Sequence, residues 1–157
     1  MTFVWFILGL FLGIIGTGFT VWTIMPKLMI QIHRSNKPFE ETVSTIENNA
    51  LRQQWKVPKI YDIQKTLHDA DHADMTPLKI LSICQPHHAY NILKDDRDKI
   101  VSAIMPCRVG VYQGKDGYTY IAEMNMGLMS QMFGGTIARV MGGVAMEEKA
   151  MIQPLID

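Results

Sequence analysis

The sequence predicts an α+β fold: one N-terminal transmembrane helix, then one small two-layer domain with a mainly antiparallel sheet and helices on one face. Three observations support this prediction. The N-terminus is uncharged and apolar, helical and strand-like spacings alternate after it, and two strand-like segments flank a short turn signal. The 157 residues suit one domain, with predicted boundaries at 1–32 (anchor and interfacial extension), 33–38 (connector) and 39–157 (domain).

Charge divides the chain into two unlike parts. The 15 basic and 15 acidic residues all follow Met25 and cancel to a formal net charge of zero. This balance excludes a broadly basic nucleic-acid binder and a disordered acidic tail, so no nucleic-acid partner is predicted. Two cysteines are too few for a miniprotein held together by disulfides.

The first apolar stretch, residues 3–25, has the length of a membrane span. Its 23 uncharged residues make about 34 Å of helix at roughly 1.5 Å per residue. Trp5 and Trp22 lie near the two ends, where indole rings favour the lipid headgroups. A cleaved signal peptide needs a positive start and small residues at a cleavage site, which this stretch lacks. The lipid bilayer is therefore the first predicted partner.

The flanks of the span bear on its orientation and its packing. Lys27 and Arg34 follow it, which favours a cytoplasmic domain at the inner cell membrane, with the periplasm as the alternative.

Within the span, Gly9 and Gly13 have the four-residue spacing of closely packed membrane helices. We therefore expect a homo-oligomer or membership of a larger membrane complex.

The first half of the domain reads as helix, strand and short helix. Residues 39–54 carry apolar side chains at amphipathic helical spacing. Residues 55–61 are rich in β-forming residues but include Pro58, which favours an edge strand or a bulge. Asp62 can cap a short helix. The buried face expected for that helix comprises Ile63, Leu67 and Ala70.

The second half reads as strand, helix, hairpin and helix. Residues 78–84 form a dense apolar run of strand length, and Pro86 opens a helix. Residues 104–113 and 118–124 flank the sequence Gly-Lys-Asp-Gly, which is a strong hairpin signal. From Met126 onward helical spacing returns, and we expect a final helix rich in glycine and methionine.

Small residues mark a candidate interface in that final helix. Gly134, Ala138 and Gly142 recur every four residues. Each interior glycine costs roughly 1 kcal/mol relative to alanine, so the helix either breaks or packs closely against a neighbour. We expect protein–protein packing, with contact to the membrane and ordinary core packing as alternatives.

Two short motifs resemble one known family. Residues 83–89 read Ile-Cys-Gln-Pro-His-His-Ala, and residues 105–109 read Met-Pro-Cys-Arg-Val. Both are similar to elements of the family catalogued as domain of unknown function 302, over roughly residues 38–135. The resemblance implies a small two-layer α/β domain and no known reaction. Gln85 stands where the family usually has asparagine, and we expect an opening strand of the family to be missing.

Cys84 and Cys107 are the candidate reactive groups. Cys84 lies just before a helix start, where the helix dipole lowers a thiol pKa, and Arg108 follows Cys107 as a second stabilising charge. If their strands are adjacent, the thiols could form a disulfide, a redox pair or two soft metal ligands. The alternative is that both are small buried side chains in the core.

The histidines offer a weaker metal hypothesis. His68 and His72 have the four-residue spacing of two ligands on one helix face, although a solvated polar face explains them equally well. His87 and His88 lie in the first turn of the next helix, where one could pack beside Cys84. No cofactor is predicted, and a soft metal ion or a haem-type ligand is left open.

Two functions follow from these observations. The first is a non-enzymatic, membrane-anchored binding or accessory module of a membrane assembly. The alternative is a thiol-dependent redox, sulfur-transfer or metal-binding protein that uses Cys84 and Cys107.

Overall fold

The computed structural model describes residues 2–156 and shows an α+β fold with a five-stranded antiparallel sheet. Side chains are described from Trp5 onward. The chain contains two short 3-10 helices, Asp98–Ile104 and Gln153–Leu155, besides its α-helices and strands. In chain order the others are helix α1 (Thr2–Met29), strand β1 (Ile30–Arg34), α2 (Phe39–Arg52), β2 (Lys56–Asp62), α3 (Ile63–His68), β3 (Leu78–Cys84), α4 (Pro86–Leu93), β4 (Cys107–Gln113), β5 (Thr119–Met124), α5 (Met126–Met132) and α6 (Gly135–Ile152).

The strand order across the sheet is β1-β5-β4-β3-β2, and every neighbouring pair is antiparallel. The predicted hairpin is confirmed between β4 and β5, where Gly117 adopts a φ of 82° in the turn. Strand β2 lies at an edge, and its register shifts between Lys56 and Lys59, around Pro58. The edge position and the bulge that Pro58 predicted as alternatives are both present, because proline cannot donate a ladder hydrogen bond.

One face of the sheet holds the core. Val109, Val111 and Ile121 alternate along β4 and β5 and are completely buried there. Helices α2, α4, α5 and α6 contribute buried apolar side chains to the same cluster. Ile30 and Ile32 on the edge strand are more than half exposed. The result is a two-layer arrangement with the helical layer on the inner face.

The opening strand is present, which corrects the expectation that it is missing. Residues 30–34 pair with β5 in a continuous register from Ile30 opposite Met124 to Arg34 opposite Tyr120. The interfacial helix expected up to residue 32, and the connector expected from residue 33, are therefore wrong over this stretch. The backbone groups of these residues find partners in β5, so the segment is extended rather than helical.

Asn125 joins α1 to the domain. Its backbone N–H donates to the carbonyl of Met29 at 2.8 Å, and its side-chain amide donates to the carbonyl of Leu28 at 3.0 Å. Its side-chain oxygen accepts from the backbone N–H of Leu128 at 3.0 Å, which caps α5. Asn125 therefore bonds to the carbonyls of Leu28 and Met29 at the end of α1 and caps the start of α5.

The predicted final helix is two helices. Helix α5 ends at Met132, and α6 begins at Gly135, whose φ of 61° suits glycine. Gly134 lies outside α6 as its N-terminal flanking residue, so only Ala138 and Gly142 of the small-residue row share a helix. One face of α6 packs in the domain core. Its buried residues are Ile137, Met141, Val144, Glu148, Met151 and Ile152.

Replacing Asn125 with alanine should destabilise the domain, because the α5 cap and the contact to Leu28 are lost together. We expect a loss of about 1–2 kcal/mol in the free energy of unfolding, measured by urea denaturation of the full chain in detergent. Asn125→Ser keeps a capping oxygen but loses the amide donor, so it should recover part of the loss. Equal stability of wild type and Asn125→Ala would contradict this role.

Candidate functional site

The two sequence motifs meet at a small cavity on the inner face of the sheet. Strands β3 and β4 are neighbours, and Cys107 at the start of β4 lies opposite Ile83 of β3. Cys84 is the last residue of β3. Gln85 caps α4 by accepting a hydrogen bond from the backbone N–H of His88 at 2.9 Å. Both thiols and His88 line the cavity, whose volume is about 40 Å³. This space holds a water molecule or a group of very few atoms.

Neither thiol is activated. Both cysteines are free. Burial raises the pKa of Cys84, and burial followed by the charge of Glu148 raises the pKa of Cys107 to about 12. This direction is opposite to the expectation that the α4 dipole lowers the pKa of Cys84, because burial disfavours the charged thiolate. Arg108 does not assist either, since it is exposed and its guanidinium lies 5.9 Å from the Tyr61 ring.

His88 is held by a carboxylate rather than by a thiol. Its Nε2 lies 2.8 Å from Oε1 of Glu147, and the indole N–H of Trp55 donates to the other oxygen of Glu147 at 2.7 Å. His87 is exposed. Among the side chains described, no hydrogen bond joins His88 to Cys84 or Cys107. The arrangement therefore fixes the imidazole between α4 and α6 and does not form a thiol–imidazole pair.

The histidines of α3 do not share a helix face. Asp62 caps α3 as predicted, accepting from the backbone N–H of Lys65 at 2.8 Å, but the helix ends at His68. His72 and Ala70 lie beyond it and are exposed, so they do not share the helix with His68 and the predicted buried face lacks Ala70, whereas the ligand role of His68 and His72 stays a prediction. Within residues 2–156, no three His, Cys, Asp or Glu side chains are arranged to hold a metal ion.

Two buried carboxylates form the feature that sequence reasoning missed. Glu148 on α6 is 3% exposed and Glu123 on β5 is 8% exposed. With His33 of β1 they line a cavity of about 280 Å³. The His33 Nε2 lies 3.3 Å from an oxygen of Glu123. The available signal was position, because Glu148 falls four residues after Val144 on the apolar stripe of α6.

Glu148 is the electrostatic centre of this region. Burial, followed by the negative charge of Glu123, raises its pKa to about 8. Burial also raises the pKa of Glu123, although His33 opposes this shift. Glu148 lines a second cavity of about 270 Å³ together with Cys107. Neighbouring titratable groups therefore lead from Cys107 to Glu148, and from there to the pair of Glu123 and His33.

The family described as Domain of unknown function DUF302 matches residues 31–157. The chain belongs to this family. The DUF302 match begins inside β1, so α1 precedes the family domain as an addition to it. No curated protein matches the chain.

A solved DUF302 structure has the same fold. The crystal structure of an uncharacterized conserved DUF302 protein from Bacillus stearothermophilus superposes with a TM-score of 0.72 at 19% sequence identity. The alignment covers 82% of this chain and 98% of that chain. The likeness at this identity concerns the fold, and it confirms the α+β domain that the two DUF302 motifs predicted.

We expect the thiols to alkylate slowly at neutral pH, because raised pKa values leave both protonated. Iodoacetamide rates should be below that of an unfolded control in denaturant, and Cys107 should stay the slower of the two up to pH 10. The variants Cys84→Ser and Cys107→Ser assign each rate. Rapid alkylation with a midpoint below pH 9 at either thiol would contradict the structure.

Stability should fall as the pH rises, because Glu148 binds its proton more tightly in the folded state than in the unfolded chain. The contribution is complete below about pH 4.5, the usual carboxyl value, and is lost as the pH passes about 8. The loss should reach about a few kcal/mol in wild type and be markedly smaller in Glu148→Gln, where only the raised pKa of Glu123 still contributes, as measured by urea denaturation between pH 5 and 9. Glu41→Gln, at an exposed carboxylate, should keep the wild-type profile.

Proposed function

We propose that this protein is a membrane-anchored binding module, in which α1 holds the DUF302 domain at the bilayer. Residues Trp5–Met29 have a mean hydropathy of 1.9, and none of the most apolar window is buried within the structure. Length and composition of this kind also fit a signal sequence. Trp5 and Trp22 are strongly exposed, at 70% and 81%, which suits contact with headgroups at both ends of a retained span.

The junction at Asn125 carries this proposal. Helix α1 continues directly into β1, and its carbonyls at Leu28 and Met29 bond to Asn125 inside the domain. Cleavage near residue 25 would leave those bonds on a short, frayed terminus. A helix end that is part of the folded domain favours a retained anchor over a removable signal.

A binding role fits the interior better than catalysis by the thiols. Raised pKa values keep Cys84 and Cys107 protonated near neutral pH. The cavity of about 280 Å³ instead places a buried carboxylate, Glu148, among polar residues such as Gln31 and apolar residues such as Met124, a combination that can orient a small ligand.

We place the domain on the cytoplasmic face of the inner membrane, with the periplasm as the alternative. Lys27 and Arg34 follow the span and favour the cytoplasm. A single cysteine introduced at Asp116, in the exposed hairpin turn, reports the side by its reaction with a membrane-impermeant maleimide. The background for that assay is the Cys84→Ser, Cys107→Ser chain.

Helix α1 also offers a surface for a partner. Gly9 and Gly13 lie in a shallow groove on α1, and no described atom comes within 4 Å of a Cβ built at either position. We propose that a second copy of α1, or a helix of a larger membrane complex, packs there. Ala138 and Gly142 on α6 extend the hypothesis to the domain, since Gly142 likewise has open space at its Cβ.

The full chain with an N-terminal tag should remain in the membrane fraction after alkaline extraction and should keep its tag. The variant carrying both Ile14→Arg and Ile15→Arg should lose membrane retention, because each arginine costs about 2.5–3.5 kcal/mol at the centre of a span. The double variant Ile14→Leu, Ile15→Leu is the matched control. A soluble wild-type protein that has lost its tag would identify a signal sequence instead.

Gly13→Leu should weaken self-association in mild detergent, since the larger side chain fills the groove and keeps the helices apart. We expect at least a tenfold rise in the dissociation constant measured by sedimentation equilibrium. Phe11→Leu, about 200° away around the helix, should behave as wild type. A wild-type monomer at all concentrations would exclude self-association and leave only a partner complex.

A further inference from the structure

We propose that the partly open cavity between β1, β5 and α6 binds a primary alkylammonium ion, held between the carboxylates of Glu123 and Glu148. This inference rests on the proposed binding function and specifies its ligand. The cavity has a volume of about 280 Å³, which accommodates an aliphatic chain of a few carbon atoms. Residues of β1, β5, α5, α6 and the second 3-10 helix line the cavity, and they include both carboxylates together with other polar and apolar groups.

Glu148 supplies the first argument. Its side chain is 97% buried and accepts no hydrogen bond from the residues described, and its carboxylate oxygens are not sealed in the core but open to the cavity that they line. Buried polar groups in folded proteins are almost always paired, and an isolated buried carboxylate is costly unless a proton or a cation compensates it. The cavity in front of Glu148 is the place from which such a cation can approach.

The chemistry of the walls identifies the cation. An ammonium group has three N–H donors, enough to bond both carboxylates at once in charge-assisted hydrogen bonds. The apolar residues can then cover an alkyl chain, and the flexible thioethers adapt to its length. A metal ion fits less well, because no three ligating side chains within residues 2–156 are arranged to hold one. The apolar lining comprises Met124, Met126, Ala145, Ile152 and Ile156.

The other charges around the cavity leave Glu148 as the uncompensated group. His33 faces the cavity from β1, but it pairs with Glu123 at 3.3 Å. Lys149 follows Glu148 on α6 and also lines the cavity, but its side chain is exposed and forms no ion pair with the residues described. On the far side of Glu148, Cys107 and Arg108 of β4 line the neighbouring cavity, and Arg108 is exposed toward Tyr61.

Binding should be coupled to proton release. Burial raises the pKa of Glu148 to about 8, so the carboxyl carries a proton at neutral pH and must lose it when an ammonium ion enters. Affinity should therefore rise about tenfold per pH unit below pH 8 and level off above it. Titrations in two buffers with different ionisation enthalpies should show close to one proton released per ligand at pH 7.

The test is a calorimetric titration of the full chain in detergent micelles with n-butylammonium chloride at pH 7 and pH 8.5. We expect saturable binding of one ion per chain, at least tenfold weaker in Glu148→Gln and unchanged in Glu41→Gln. Butan-1-ol, which lacks the charge, should not bind measurably. Circular dichroism of Glu148→Gln establishes that the nearly isosteric variant is folded.

Three results would overturn the inference: no saturable binding to wild type, equal binding to Glu148→Gln, or binding of calcium chloride in place of the ammonium salt. Each of these leaves membrane retention of the tagged chain unaffected. Failure of the ligand site is thus distinguishable from failure of the anchor. Butylammonium binding by a chain that has lost α1 would support the site while contradicting the anchored function.

Discussion

The packing of α6 against the inner face of the sheet is the constraint on which the rest of the domain depends. The apolar stripe that includes Met141 and Val144 belongs to the same buried cluster as Val109 and Ile121 of the sheet. Burial of that stripe is favourable in proportion to the apolar area removed from water. It also carries Glu148 into the interior, where its carboxyl group faces two cavities and has no hydrogen-bond partner in the described chain.

Hydrogen bonding at the start of the domain determines how the apolar helix is attached. Because β1 pairs with β5, the chain leaves its helical conformation at Met29, and Asn125 supplies partners for the last carbonyls. An element that would otherwise be tethered by a flexible linker is bonded to the sheet and to α5. The position of the domain relative to α1 is therefore part of the fold.

The thiols and the carboxylates show why chemistry was harder to predict than fold. Local sequence suggested that a helix start and a neighbouring arginine would activate Cys84 and Cys107. In the structure, burial dominates both pKa values, and Arg108 points its charge toward Tyr61. Desolvation depends on which elements pack over a residue, and no spacing along the chain encodes that. The Glu123–Glu148 cavity depends on the same packing, although the place of Glu148 on the apolar stripe of α6 was a local signal of its burial.

The sequence by itself determined the elements whose signals are local. Pro58 marked the edge strand, the Gly-Lys-Asp-Gly turn marked the hairpin, Asp62 marked the α3 cap, and two motifs marked the DUF302 domain. Only the tertiary structure decided that residues 30–34 form a strand, because their partners lie about 90 residues away in β5. It also decided which charges are buried, since an apolar stripe carries its polar members inward wherever the helix packs.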